Sequence, residues 1–253
     1  MKVVSVSDTG LVRANNEDCL AVFSVGKDEC FVIADGMGGH AAGELASKTA
    51  VEYVRQSLND YLYEADDPQK LQKLLSFTLE KANVKVYLAS LSGFRFRGMG
   101  TTLTVAVLRN NVLYVSHIGD CRLYHLHGQR MKQLTTDHTL VQRMVEKGAI
   151  TKEEARTHPK RHVLLRSLGV NEYVMPDTFS VAISNGDVIL LCSDGLYGCV
   201  EDKTIRAVLR KHKDLHYCIQ LLMDLTEAAG APDNISMILA ECEVRKGKDK
   251  EKA

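Results

Sequence analysis

Hydrophobic runs in this chain stop on aspartates. Phe31-Val32-Ile33-Ala34 ends at Asp35-Gly36, and Val188-Ile189-Leu190-Leu191-Cys192-Ser193 ends at Asp194-Gly195. Val112-Leu113-Tyr114-Val115 leads soon after into Gly119-Asp120. Short apolar runs of this kind read as buried strands, so each carboxylate sits at the rim of a core. Burying a carboxylate alone is costly, and such a group is paired or metal-bound. Repetition implies several carboxylates converging on one spot. Its fitting occupant is a hard divalent cation held by oxygens.

The connections narrow the fold further. Gly26-Lys27-Asp28 separates strands predicted over 19–25 and 29–35. Arg109-Asn110-Asn111 joins 101–108 to 112–117, and His127-Gly128-Gln129 joins 121–126 to 130–134. Turns this tight demand antiparallel pairing. Further strands are predicted over 2–7, 175–183, 188–192 and 235–242. Apolar residues at helical spacing predict long helices over 41–62 (Leu45, Thr49, Val51, Val54, Leu58) and 69–91 (Leu71, Leu74, Leu75, Leu79, Ala82, Val86, Leu88). Shorter helices are predicted over 140–146, 202–211 and 215–228. The regular βαβ alternation of a parallel sheet is missing. The expected class is therefore α+β, with stacked antiparallel sheets and helices outside. The 253 residues show no repeat and no linker. They read as one domain over 1–244, with a Lys- and Glu-rich tail over 245–253 expected to be disordered.

Formal net charge is zero, which removes bulk attraction to nucleic acid or an anionic membrane. The aromatic residues show no basic interleaving of the nucleic-acid type. Seven cysteines without a C-x-x-C pair read as reduced thiols packed like small hydrophobes, Cys121 among them. The amino terminus has no signal-peptide core, and no uncharged stretch spans a bilayer. A cytoplasmic location is expected.

A single Asp-Gly is often only a turn. The context of Asp35 differs: it opens Asp35-Gly36-Met37-Gly38-Gly39-His40 ahead of a long helix. Glycines there leave carbonyls free to coordinate. No Lys-Ser/Thr follows, so this is not a phosphate-cradling P-loop. Asp233, in Ala231-Pro232-Asp233-Asn234, precedes the last strand. The end of one strand and the start of its antiparallel neighbour share an edge, which brings Asp233 to Asp35 and Asp194. Three carboxylates, waters and a glycine carbonyl suit Mg²⁺ or Mn²⁺. Zinc wants Cys or His at tight spacing, and the nine histidines read as scattered. Arg13 with Glu17 and Asp18 has two readings. It is a surface ion pair of little consequence, or a phosphate clamp beside more metal-binding oxygens. The basic run 158–162 is a solvated loop or a grip for an anionic phosphopeptide.

Eight segments in order complete a pattern. They are Ser7-Asp8-Thr9-Gly10 with Arg13 and Asn16-Glu17-Asp18; Asp35-Gly36-Met37-Gly38-Gly39-His40 with Gly43-Glu44; Gly100-Thr101-Thr102; Gly119-Asp120 with Arg122; Leu134-Thr135 with Asp137-His138; Arg166-Ser167-Leu168-Gly169; Ser193-Asp194-Gly195-Leu196; and Asp233-Asn234. The chain resembles the metal-dependent protein phosphatases of the protein phosphatase 2C family, in their short bacterial form. The resemblance implies a four-layer sandwich, two central antiparallel sheets with helices on both outer faces. It implies hydrolysis of phosphoserine and phosphothreonine monoesters by a water activated between two Mn²⁺ or Mg²⁺ ions. Asp35 then bridges the ions and the Gly36 carbonyl binds one. Asp194 and Asp233 complete the first ion, and Glu17 and Asp18 serve the second. Asp120 with Asp194 forms a weaker third site. Arg13 holds the substrate phosphate. A mobile flap corresponds to residues 139–165. The implied partners are phosphorylated proteins, including a cognate Ser/Thr kinase, and a monomer is expected. The family position of a proposed general acid holds Met37, and a usually acidic position after Asp194 holds Gly198. A phosphatase-like module without catalysis and a hydrolase of small phosphoesters remain as alternatives.

Overall fold

The computed structural model describes residues 1–38 and 41–243. His40 and the tail predicted over 245–253 lie outside the described residues. Among the described residues, eleven strands form two antiparallel sheets. One sheet contains, in spatial order, β1 (Lys2–Asp8), β11 (Ile235–Glu241), β10 (Val188–Cys192), β7 (Arg122–His127) and β8 (Arg130–Gln133). The other contains β2 (Asp18–Val25), β3 (Asp28–Met37), β5 (Leu103–Arg109), β6 (Val112–Ile118) and β9 (Asp177–Ala182), with β4 (Gly100–Thr101) beside the end of β3. The four-layer α+β expectation holds.

Alternation along the strands builds three apolar layers. Phe31, Ile33, Ala106 and Val115 meet Leu123, Ile189, Leu191 and Ile238 between the sheets. Val32, Ala34, Val105 and Val107 face outward, onto α1 (Ala41–Tyr61) and α2 (Pro68–Ser90). Leu190, Cys192, Met237 and Leu239 face the opposite way. They pack with α5 (Asp194–Tyr197), α6 (Asp202–Lys211) and α7 (Leu215–Ala228). The segment between β8 and β9 holds α3 (Leu140–Glu146) and α4 (Lys152–Thr157).

Helix α1 sits close to its sheet because its inner stripe is small: Ala42, Ala46 and Ala50 are buried, followed by Val54 and Leu58. That i, i+4 stripe leaves Leu45 on the flank, 37% exposed, although helical spacing had assigned it to the core. Leu88 of α2 is likewise exposed. The carboxylate of Asp67 caps α2 by accepting from the Gln69 and Lys70 amides, with Pro68 in the first turn. Sequence reading overlooked α4, whose capping box pairs Thr151 with Glu154. Asn110 and Asn111 carry φ of 49° and 64°, the backbone of a tight hairpin turn.

Candidate metal centre

Register brings the acids together before any side chain is considered. Cys192 lies opposite both Met237 and Arg122, so Asp194, Asp233 and Asp120 emerge at one end of their sheet. In the other sheet Asp18 and Asp35 are direct cross-strand partners, whose side chains share a face. A cavity of about 750 Å³ opens at that end. Arg13, Glu17, Asp35, Gly36, Asp120, Asp194 and Asp233 all line it. Asp18 is buried behind this lining.

The carboxylates oppose one another. Burial, followed by the charges of Asp18, Asp194, Asp120 and Asp233, pushes the Asp35 carboxyl well above the usual range. Burial, then Asp194 and Asp137, does the same to Asp120, with Arg122 working against it. Burial pushes Asp18 up to about 7 in spite of its hydroxyl partners. The Ser193 hydroxyl donates to Asp18 Oδ2 at 2.7 Å. Asp18 Oδ1 is, among the described residues, the one buried side-chain oxygen or nitrogen without a hydrogen-bond partner. An all-oxygen donor set, mutual repulsion and an unmatched buried oxygen together fit a hard divalent cation.

Backbone contacts fix these positions. The Asp35 amide donates to Thr102 Oγ1 at 2.8 Å. The Asp35 carbonyl accepts from Thr101 Oγ1 and from the Thr102 amide, each at 2.9 Å. A Cβ on Gly36 would lie 2.2 Å from the Gly43 carbonyl and 2.5 Å from that of Glu17. Only glycine lets the start of α1 approach β3 there. Asn234 ties the amino-terminal loop to β11: its Oδ1 accepts from the Glu17 amide at 2.8 Å, and its Nδ2 donates to the Thr9 and Asn15 carbonyls at 2.9 Å. Arg13 donates to Asp233 Oδ2 at 2.8 Å and is half exposed at the mouth of the cavity.

A profile of the family described as Protein phosphatase 2C matches residues 12–240. The chain belongs to the protein phosphatase 2C family. It is 35% identical to the serine/threonine phosphatase stp of Listeria innocua, over 96% of this chain and 97% of that one. It is 33% identical to the protein phosphatase PhpP of Streptococcus pneumoniae, over 94% of this chain and 96% of that protein. The solved Streptococcus agalactiae serine/threonine phosphatase superposes with a TM-score of 0.90 at 29% identity, covering 96% of this chain and 99% of that chain. The catalytic domain of the phosphatase PstP, solved in complex with two manganese ions, superposes with a TM-score of 0.81 at 36% identity, over 95% of this chain and 97% of that one. Among the described residues, no helix is long and apolar enough to cross a membrane.

Sequence reasoning left several parts of this protein phosphatase 2C site without a role. The Arg122 guanidinium grips Asp137 through Nε at 3.1 Å and through a terminal nitrogen at 2.7 Å. It also lies 3.6 Å from the centre of the Tyr197 ring. Tyr197 donates its hydroxyl proton to the Asp120 carbonyl at 2.9 Å. Tyr197 lies on the short helix α5, which no periodicity could reveal. His138 braces the same turn. Its Nδ1 accepts from the Gly119 amide at 3.0 Å, so its proton sits on Nε2, which donates to Asp177 Oδ2 at 3.1 Å.

The basic run 158–162 divides. Arg161 and His162 line the cavity with Lys152 and Arg156 of α4. His162 Nδ1 stands 3.5 Å from Asp194 Oδ2. His158 instead accepts from the Lys160 amide in an exposed turn. Met37 and Gly198 also line the cavity. A Cβ on Gly198 would lie 2.7 Å from the Asp194 carbonyl, so a longer residue there needs α5 to shift.

The Asn234 brace yields an expected outcome. Asn234→Ala removes the bonds to the Glu17 amide and to the Thr9 and Asn15 carbonyls, and so loosens the loop that carries Arg13 and Glu17. Metal affinity should fall about tenfold or more, as for loss of a group that orients ligands, while far-ultraviolet circular dichroism stays unchanged. Manganese calorimetry on the variant checks this.

Proposed function

We propose that two Mn²⁺ or Mg²⁺ ions occupy this centre and that the protein removes phosphate from phosphoserine and phosphothreonine side chains of other proteins. Membership of the protein phosphatase 2C family makes it a metal-dependent serine/threonine protein phosphatase. One observation supports the two-ion centre above all: five carboxylates converge where register ends, with one buried oxygen of Asp18 left unmatched.

Asp35, central among the acids, would serve both ions. The Gly36 carbonyl, Asp194 and Asp233 would help hold one. Glu17 and Asp18 would serve the other, and Asp120 with Asp194 would offer a weaker third position. Bound there, divalent ions supply Lewis acidity and lower the pKa of water. Arg13 exchanges its bond to Asp233 for the oxygens of the substrate phosphate, a planar match for guanidinium. The two threonines that clamp the Asp35 backbone keep the carboxylate in place, so little reorganisation accompanies reaction. Phosphorylated proteins, among them a Ser/Thr kinase, are the proposed partners of a cytoplasmic monomer.

The cationic wall of Lys152, Arg156 and Arg161 faces the cavity. Replacing all three by alanine is expected to raise KM for a phosphothreonine peptide about tenfold, with kcat little changed. p-Nitrophenyl phosphate, which has no peptide to reach that wall, should respond less. Release of phosphate from both substrates, with and without Mn²⁺ and after chelation, tests the reading. Metal binding without turnover on either would mark a binding module instead. Turnover on small esters with none on the peptide would mark a small-molecule hydrolase.

A further inference from the structure

Two histidines stand at the far end of the strands that carry the acids. The sequence His125-Leu126-His127 puts both rings on one face of β7. Asp187 stands just before β10, the neighbouring strand. His125 Nε2 lies 2.8 Å from Asp187 Oδ2, and His127 Nδ1 lies 2.7 Å from Asp187 Oδ1. Among the described residues, this is the one group of three or more His, Cys, Asp or Glu side chains whose ligand atoms all lie within 4.8 Å of one another. The reading of the histidines as scattered is corrected here. None of the three lines the acidic cavity. At roughly 3.4 Å per extended residue, Asp187 and Asp194 are on the order of 20 Å apart.

The group is built rather than incidental. Asp187 is 3% exposed, and its Oδ2 also accepts from the Ser184 amide at 2.8 Å. Burial raises its pKa, but the Ser184 amide and the two imidazoles outweigh burial and hold it below the usual carboxylate value. His125 is nearly buried, whereas the His127 side chain is 66% exposed. One side of the group therefore opens to water.

We propose that His125, His127 and Asp187 form a second metal site, which takes a borderline divalent transition ion such as Zn²⁺ and is separate from the acidic centre. Two imidazole nitrogens with one carboxylate suit zinc, nickel or copper and not the hard ions of an all-oxygen site. Ligand bonds of about 2.0–2.1 Å place neighbouring donor atoms roughly 3–3.4 Å apart. Two of the three pairs already stand closer than that, and the exposed His127 ring at the hairpin end rotates to close the third. On binding, the ion takes the place of the protons on His125 Nε2 and His127 Nδ1, which pass to solvent. Each ring coordinates in its neutral form, His125 with its proton on Nδ1 and His127 with its proton on Nε2. Solvent fills the remaining positions. The ion ties β7 to the turn ahead of β10. Lys132 and Arg130, the exposed cross-strand partners of His125 and His127, repel a bound cation. Lys132→Ala is therefore expected to tighten the site.

The test uses intact protein held in saturating Mg²⁺ and titrated with Zn²⁺. Calorimetry counts ions, and long-range ¹H–¹⁵N spectra follow the imidazole nitrogens. One added Zn²⁺ is expected, with His125 Nε2 and His127 Nδ1 moving together. His127→Ala should weaken it by at least about tenfold while Mg²⁺-dependent phosphatase activity stays unchanged. Wild-type zinc binding in His127→Ala, or ring nitrogens that do not move, overturns the proposal. The ring nitrogens are read directly, so the outcome does not depend on the acidic centre being catalytic.

Discussion

Asp35→Asn is expected to cut turnover on the order of 10³-fold or more, because it removes the carboxylate proposed to serve both ions. The fold should survive. Without metal, the variant should melt a few degrees higher than the wild type, since it relieves a carboxylate that burial and four neighbouring acids disfavour. Mn²⁺ should then reverse the order. It stabilises the wild type by binding the native state, and the variant gains far less. Steady-state kinetics on a phosphothreonine peptide and calorimetric melting with and without Mn²⁺ give both readings. An Asp35→Asn protein with full activity and a normal response to manganese would refute the assignment of the centre.

Arg122→Ala carries the largest expected cost in stability. The pair with Asp137 has side chains only 19% and 9% exposed. Removing the guanidinium leaves a buried carboxylate with the amide of Gln133, which donates to Asp137 Oδ1 at 2.7 Å, as its main support. Breaking such a pair from one side costs about 3–5 kcal/mol. The guanidinium also covers the ring of Tyr197, whose hydroxyl holds the Asp120 carbonyl. Loss of activity should therefore accompany loss of stability, through Asp120. Urea unfolding of Arg122→Ala, Asp137→Asn and the double variant measures the coupling. Single variants within 1 kcal/mol of the wild type would show that the pair is screened by water, as exposed pairs are.

The acids were legible because they interrupt apolar runs. A carboxylate after four or five buried residues is a local signal, and antiparallel register then brings Asp194 and Asp233 to one end of their sheet; Asp35 reaches them from the other sheet, through packing that no register fixes. The tight turns at Asn110-Asn111 and around Gly128 were legible as local signals too. What stayed hidden depends on contacts far apart in sequence. Nothing local marks Tyr197 as the support of Asp120, or Asn234 as the brace of Glu17. The inner face of α1 misled because alanines form it, and hydrophobic spacing gives weight to the larger Leu45. Helix α4 had a signal, Thr151 three residues before Glu154, but a six-residue helix in a charged stretch has no apolar stripe to support it. The pairing of His125 with His127 was visible as alternate positions on a strand. Asp187, sixty residues on from His127, was needed to give it meaning.

Strands β1 and β11 are hydrogen-bonded partners, from Lys2 opposite Glu241 to Asp8 opposite Ile235. During synthesis β1 must therefore wait until Ile235–Glu241 are made before it finds its neighbour, and Asp233 leaves the ribosome just ahead of that neighbour. A nascent chain halted before Asp233 lacks that carboxylate, and β1 has no neighbour in its sheet. The full set of acids thus comes together only on ribosomes that have translated through β11.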